Sequence, residues 1–498
     1  MKRLFVLFLC LFVLLSAVSG MATAEETYKS DVIVGIEGKL VTFDPQNSSI
    51  APMNYVARMI FDCPMYFDWE TQTIVPNIAT SWDTEDGQSY TLKLRDDVYF
   101  HNGEQLKASD VKFTYERAVG TSASNQLGTM IESMEIVDDF TIILHLGQVN
   151  YDFPYMLTLN TASILNEKAC TEDDLAGCGI GTGPFMIDSY EWGDYFTVRR
   201  NDNFWGEPAK AETVTLRYMA DKSTRLLALQ TGEIDVCQDP ELIELPYVED
   251  DPNLELQVYE TQSMVHMSFN VQKAPFDNAD FRRAVCYGVN SEDLIAVIRE
   301  GYGTDCKSCW GPSQFGYNGG TTDYDYNPEL AKEYLAKAYP NGGAKFEITV
   351  QSGERKALGE MVQAQLKEIG IEVTLKEVDH AGLMTAMDNG EHEAVFFSFG
   401  FNAFADDSRR ILVPGTTANT AFYDNPEVTE LMNQGCAEGD EATRKEIYAK
   451  VQEIVHEDAP YNPVFYTQGA WAVKKGVQGI DYYPTLQHSL RNIHMVLE

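Results

Sequence analysis

The residues best equipped for chemistry crowd into one stretch, SFGFNAFADDSRRI, from Ser398 to Ile411. Two carboxylates, Asp406 and Asp407, and two guanidinium groups, Arg409 and Arg410, follow the rings of Phe399, Phe401 and Phe404, with Asn402 among them. A desolvated aspartate can receive an ammonium in a charge-assisted hydrogen bond, and an arginine can grip a carboxylate with a fork of donors. The same four charges can instead neutralise one another at a helix start. A second chemical pattern is Cys306-x-x-Cys309, which suits half a zinc site, a redox pair or a tight disulfide. Zinc needs two more ligands at similar spacing, and no second CxxC or HxxxH exists, so a disulfide is the better reading. Cys170 and Cys178 bracket a short acidic loop and form another disulfide candidate.

Nothing else assembles a reacting centre. GTGPF, Gly181 to Phe185, lacks a following GK[ST], and Pro184 stops any helix that would turn its amides toward a phosphate. There is no GxSxG, no HExxH and no single cysteine with a histidine partner. Acids are so numerous that a glycosidase pair has no mark of its own. The reading is therefore non-enzymatic, with no cofactor and no metal bound by the protein, and a secreted hydrolase stands as the alternative.

These residues must be held by strands and helices that alternate along the whole chain. SDVIVGIE alternates as a strand, YTLKLRDDVYF places Tyr90, Leu92 and Leu94 on one face, and a helix begins near Ser109 with its hydroxyl as cap. Asn327-Pro328-Glu329 and Asn425-Pro426-Glu427 each combine a cap, a proline at the first helical position and an acid suited to the helix dipole. LGEMVQAQLKEIG buries Met361, Leu366 and Ile369 along one helix face and stops at Gly370 before the strand IEVTLKEV. A helix from Glu441 to Glu457, capped by Asp440, buries Ile447, Val451, Ile454 and Val455. Helix followed by strand points to α/β layers.

The first 24 residues pair Lys2 and Arg3 with an apolar run from Leu4 to Leu15 and end in Ala22, Thr23 and Ala24, as a secretory signal peptide does. Cys10, preceded by Leu9 inside that run, does not fit a lipid anchor, so a periplasmic location follows. The 498-residue chain carries a net charge of −39, and losing Lys2 and Arg3 takes it to −41. Such a field repels nucleic acid and anionic lipid. No later run is long and apolar enough to span a bilayer.

IVPNIATSWDTEDGQSYTLKLRDDVYFHNGEQLKASDVKFTYERAV, Ile74 to Val119, resembles the signature region of the family 5 extracellular solute-binding proteins, the peptide- and nickel-binding components of ABC importers. Further matches include TLRYMADKSTRLLALQTGEIDV, SFNVQKAPFDNADFRRAVCYGVN and RKEIYAKVQEIVHEDAPYNPVFY, so the likeness spans nearly all of the mature chain. The resemblance implies a two-lobed, type II-like α/β periplasmic binding protein, closing like a flytrap, with an extra domain inserted in the first lobe. Lobe I would take residues 25–58, 180–262 and 476–498, the extra domain 59–179, and lobe II 263–475. The crossings would fall near Ser263 to Asn270 and Gln468 to Lys475. Its ligand would be a small peptide, or a nickel chelate, a glutathione-like compound or an oligosaccharide, delivered by a monomer to membrane permease subunits.

In peptide-carrying relatives an aspartate of the 398–411 segment pairs with the ligand's ammonium. Here an ungapped match puts Phe404 near that position and Asp406 and Asp407 slightly downstream. The resemblance further implies Phe401, Asn402, Arg409, Asn419, Tyr423 and Trp310 as ligand neighbours from lobe II, and Glu37 and Gly38 from the loop after the first strand.

Overall fold

The computed structural model describes residues 27–172, 177–306, 308–320, 324–416 and 418–497. The expected signal peptide and Cys10 lie outside them. One eleven-stranded mixed sheet runs through the molecule. Ten of its strands are β1 (Asp31–Ile36), β2 (Phe185–Glu191), β3 (Tyr195–Arg200), β4 (Thr213–Tyr218), β5 (Val236–Gln238), β6 (Leu254–Phe269), β7 (Lys345–Val350), β8 (Glu372–Glu377), β9 (Ala394–Gly400) and β10 (Tyr461–Lys474). Their spatial order is β8-β7-β9-β6-β10-β5-β1-β4-β3-β2, and the short strand Gly303–Asp305 pairs with β10 beside this path. A separate four-stranded antiparallel sheet is made by Ala79–Asp83, Ser89–Leu94, Thr141–Leu146 and Ile131–Asp138. Its Tyr90, Leu92 and Leu94 point into a core of their own, as the alternation requires.

β1, β4 and β5 run parallel and bury Val32, Val34, Val214, Leu216 and Val236 in a core with Phe43, Met59 and Trp471. At the other end, the two faces of β6 feed two different cores. Val265, Met267 and Phe269 pack with Phe346 and Leu366, while Met264 packs with Phe399, Trp310 and Tyr461. Strand period two sends successive side chains to opposite sides, so one strand organises both layers.

The helix ends follow local chemistry. The side chains of Asn327, Asn425 and Asp440 accept backbone N–H groups of Leu330, Glu427 and Thr443 at 2.9–3.0 Å, which caps the helices Pro328–Ala338, Pro426–Ala437 and Glu441–Asp458. The helix expected from Ser109 starts one residue earlier, at Ala108. Its first turn is closed by the Asp110 carboxylate on the Lys107 N–H at 3.0 Å, leaving Ser109 without the capping role. Gly181 and Gly183 serve close approach: an added Cβ would lie 2.0 Å from the Ile60 carbonyl at the first and 2.4 Å from the Met59 carbonyl at the second.

Asp62, just after the helix Ala51–Ile60 and before the four-stranded sheet, is fully buried. It accepts from Tyr66 Oη at 2.7 Å, Thr182 Oγ1 at 2.8 Å, Trp205 Nε1 at 3.2 Å and Arg491 Nη1 at 2.7 Å. Burial alone would raise its pKa, but Arg491 and the bonds from Tyr66 and Thr182 outweigh burial and hold it below the usual carboxylate range. Asp62→Asn leaves Arg491 without its counter-charge and is expected to cost about 3 kcal/mol of unfolding free energy, read by urea denaturation. Because the folded pKa is depressed, the wild-type contribution is present above the unfolded carboxylate value of about 4 and is lost as pH falls through the folded one. The variant lacks that acid-side loss.

Candidate ligand cleft

β6 and β10 pair in register from Leu254↔Lys474 to Glu260↔Gln468, then resume at Met264↔Tyr466. Three residues, 261–263, therefore oppose Thr467 alone. Thr261 Oγ1 donates to the Thr467 carbonyl at 2.6 Å and accepts the Ser263 N–H at 3.0 Å, replacing the missing ladder bonds. Gln262 ties both sides of the break: its N–H reaches the Pro484 carbonyl at 2.8 Å, and its carbonyl accepts the Phe401 N–H at 3.2 Å. Its Oε1 accepts the Ser313 N–H at 3.3 Å, whereas its buried Nε2 has no hydrogen-bond partner.

On one side of this break lie the carboxyl ends of β1, β4 and β5, the edge where parallel sheets leave a crevice. Glu37 and Gly38 follow β1 here. Glu37 is exposed, and its N–H bonds Gln238 Oε1 at 3.0 Å; Gly38 is half-buried against Pro52.

The 398–411 segment begins in β9, whose Gly400 pairs with Ser263 at the break. Asp407 is 3% exposed and spends both oxygens locally, Oδ2 on the Asn402 N–H at 2.9 Å and Oδ1 on Arg410 Nη1 at 3.2 Å. Asp406 takes Arg409 Nε at 2.7 Å, and Arg409 also donates to Asn433 Oδ1 at 2.9 Å. Phe401 and Phe399 pack edge to face in the core, with ring centroids 4.9 Å apart, and Arg410 lies over the Phe399 ring. Phe404 is buried with its ring 6.4 Å from Tyr155. Asn419 pins its own loop by accepting the Tyr423 N–H at 3.0 Å and donating to the Tyr423 carbonyl at 2.8 Å. Tyr423 Oη donates to Asp458 at 2.6 Å, and Trp310 Nε1 to the Phe315 carbonyl at 3.0 Å. The structure thus brings Asn402, Phe404, Asp406, Asp407 and Arg409 to one turn and sets Asn419, Tyr423 and Trp310 within the neighbouring core.

A buried clasp joins this turn to the inserted sheet's side. Asp152 is 1% exposed and receives Arg444 Nη2 at 2.5 Å and the Asp406 N–H at 3.1 Å, and the Tyr151 N–H reaches the Cys436 carbonyl at 2.8 Å. Two cavities flank the clasp. One of about 910 Å³ is lined by Gln126, Gln148, Asn150, Asp406, Arg409 and Asn433, and one of about 490 Å³ by Trp82, Tyr155, Gln314 and Lys445 among others.

Sequence reasoning missed Asp152, Gln262 and Arg355. Arg355 donates to Ser398 Oγ, and its buried Nη1 has no partner. An arginine buried beside no carboxylate acceptor is uncommon, and burial lowers its pKa. The eight cysteines described are buried, and the sulfurs of Cys170 and Cys178 lie 2.7 Å apart, farther than a disulfide bond. Among the described residues no group of three or more His, Cys, Asp or Glu could hold a metal ion, and no helix is long and apolar enough to cross a membrane.

Residues 73–420 match the family described as bacterial extracellular solute-binding proteins, family 5 middle. The chain belongs to this family. It is 26% identical to the dipeptide-binding protein of Escherichia coli over 95% of this chain and 96% of that one, and 27% identical to heme-binding protein A of Haemophilus influenzae over 86% and 85%. The periplasmic binding protein DppA from Helicobacter pylori, solved in complex with the peptide STSA, superimposes with a TM-score of 0.76 at 28% identity, covering 95% of this chain and 99% of that one. The fold is that of a two-lobed solute-binding protein, as the family resemblance implied.

Burial pushes the Asp406 pKa up to about 6, with Arg409 opposing and Asp152 adding to the rise. The folded state therefore keeps a proton that the unfolded chain releases from about pH 4. Stability from this site is present below about pH 4 and lost as pH rises through about 6, the opposite sign to Asp62. Asp406→Asn is expected to remove that decline, seen as a flatter urea-midpoint profile between pH 4 and 7.

Proposed function

We propose that this protein is the substrate-binding component of an ABC importer that captures small peptides between its lobes and hands them, chemically unchanged, to membrane permease subunits. The observation that carries the reading is the β6/β10 register break, where two long paired strands lose their ladder over three residues. A hinge there lets the halves open and close, and a ligand favours closure by its differential affinity for the closed state. The lobes would be 25–58, 180–262 and 476–498 against 263–475, with 59–179 as the added domain. The protein acts after export and loss of residues 1–24, as a monomer and without catalysis. The family membership and the peptide-binding relatives support this reading.

Incubation with a pool of di- to tetrapeptides tests it. Bound peptides are expected to be recovered intact by mass spectrometry and to raise the unfolding free energy by about 2.7 kcal/mol at one hundred times Kd. Cleaved products would point to a hydrolase, and retention of heme or glutathione alone would replace the peptide as ligand.

We also propose that Cys170–Cys178 and Cys306–Cys309 are disulfides in the exported protein, in keeping with an oxidising compartment. Alkylation before reduction is expected to leave all four unlabelled, and labelling of either pair refutes that pairing.

A further inference from the structure

β5 ends at Gln238, at the centre of the parallel edge and one strand away from β10, where the chain passes between the halves. The next residue, Asp239, adopts φ +40°, a left-handed backbone that few residues other than glycine take without cost. The turn is held by Arg225, fully buried, whose guanidinium donates to the carbonyls of Gln238 at 2.8 Å, Met219, and Asp239 at 3.3 Å. Arg225 thus spends its charge on main-chain oxygens and none of its hydrogen bonds on the Asp239 carboxylate.

That carboxylate is half-buried and thinly satisfied. Its contacts are Gln238 Nε2 at 3.3 Å and Tyr259 Oη at 3.5 Å, both long, and it forms no ion pair with a described residue. Gln238 Nε2 is shared with Tyr55 Oη at 2.9 Å, and Tyr259 stacks on Tyr482 with centroids 4.6 Å apart, so the surrounding wall is phenolic and rigid. Exposed Glu37 adds a second negative charge next door, bonded through its N–H to the same Gln238 side chain. Lys222 acts on Asp239 from outside ion-pair distance. Burial raises the Asp239 pKa, with Lys222 and Arg225 opposing and Glu37 adding to the rise. A half-buried carboxylate with two long hydrogen bonds and no ion pair keeps lone pairs for an incoming cation. By contrast, Asp406 and Asp407, in the turn after β9, already hold arginines.

We propose that Asp239, framed by Tyr259 and Gln238 and reinforced by Glu37, receives the α-ammonium of the peptide, so that the cationic end of the ligand is held by the β5 turn and not by the acids of the 398–411 segment. The assignment rests on the peptide reading and specifies its polarity: free amino terminus toward the carboxyl edge of β1, β4 and β5.

The test uses the mature protein, a pool of tri- and tetrapeptides, and the same pool after N-acetylation, with binding read by calorimetry. Asparagine tolerates the left-handed backbone, so Asp239→Asn is expected to unfold at the wild-type temperature when ligand-free. Wild-type protein is expected to bind the free pool at least tenfold more tightly than the acetylated one. Asp239→Asn is expected to lose at least tenfold for the free pool and no longer to tell the two apart. Asp239→Glu restores part of the discrimination. Discrimination unchanged in Asp239→Asn but lost in Asp407→Asn overturns the assignment while the peptide reading stands. Wild-type protein that binds neither pool overturns the peptide reading, and the assignment with it.

Discussion

The break in register between β6 and β10 is the constraint on which the rest of the molecule depends. Each arm of the pair is a stiff antiparallel ribbon, from Leu254 to Glu260 on one side and from Met264 to Ser268 on the other. The backbone groups between them must find partners that do not belong to the ladder. Thr261 supplies a hydroxyl that both donates and accepts, and Gln262 bonds once toward Pro484 and once toward Phe401. Bonds of this kind survive small rotations better than a ladder, whose register is fixed along its length. The ladder is absent over three residues, and one further register shift falls between Val265 and His266 in the second arm, while the cores on either side stay close-packed.

Charge is distributed to suit that arrangement. In a chain with 76 acids and 37 lysines and arginines, buried Arg225 and Arg282 spend their hydrogen bonds on main-chain oxygens, and Arg283 divides its bonds between a carbonyl and the acids Asp280 and Glu457. Arg282 donates to the carbonyls of Phe276 and Asp458, and Arg283 to that of Glu457, which answers the unsatisfied carbonyls at the end of the helix Glu441–Asp458. Arg225 does the same for the turn after β5. Other arginines pair with acids: Arg491 with buried Asp62, Arg409 with Asp406, and Arg444 with buried Asp152. A buried ion pair contributes little net stability once desolvation is counted, so the value of the last pair lies in fixing how the two halves meet.

Much of this was legible in the sequence wherever the cause is local. The caps at Asn327, Asn425 and Asp440 and the inward faces of the 89–94 strand follow from residue type and period. The helix after Lys107 starts a residue early, with Asp110 in its first turn bonding back to the Lys107 N–H. The crossing was expected from Ser263 onward, yet the register fails at 261–263. TQSMVHMSF keeps a strand-like pattern straight through the break, and a bulge changes pairing without changing hydrophobicity. The 398–411 charges were visible as a group, but their partners were not all nearby: Asp406 and Arg409 pair three residues apart, whereas Arg444 reaches Asp152 across 292 positions. Asp239 carried no pattern beyond an acid before Pro240, and its significance rests on where Arg225 points.

The relatives named above share one scaffold and carry names for different ligands, from a dipeptide to heme. A scaffold built from caps and apolar periodicity can stay constant only if ligand choice is delegated to a few polar atoms that the fold itself does not satisfy. A buried donor left unpaired costs about 1–3 kcal/mol. Gln262 Nε2 and Arg355 Nη1 carry that cost in the structure as it stands. They sit between packed cores that fix their positions, so the cost is borne locally and offset by the apolar burial around them, and a scaffold shared among relatives with differently named ligands must tolerate such local costs without changing its packing.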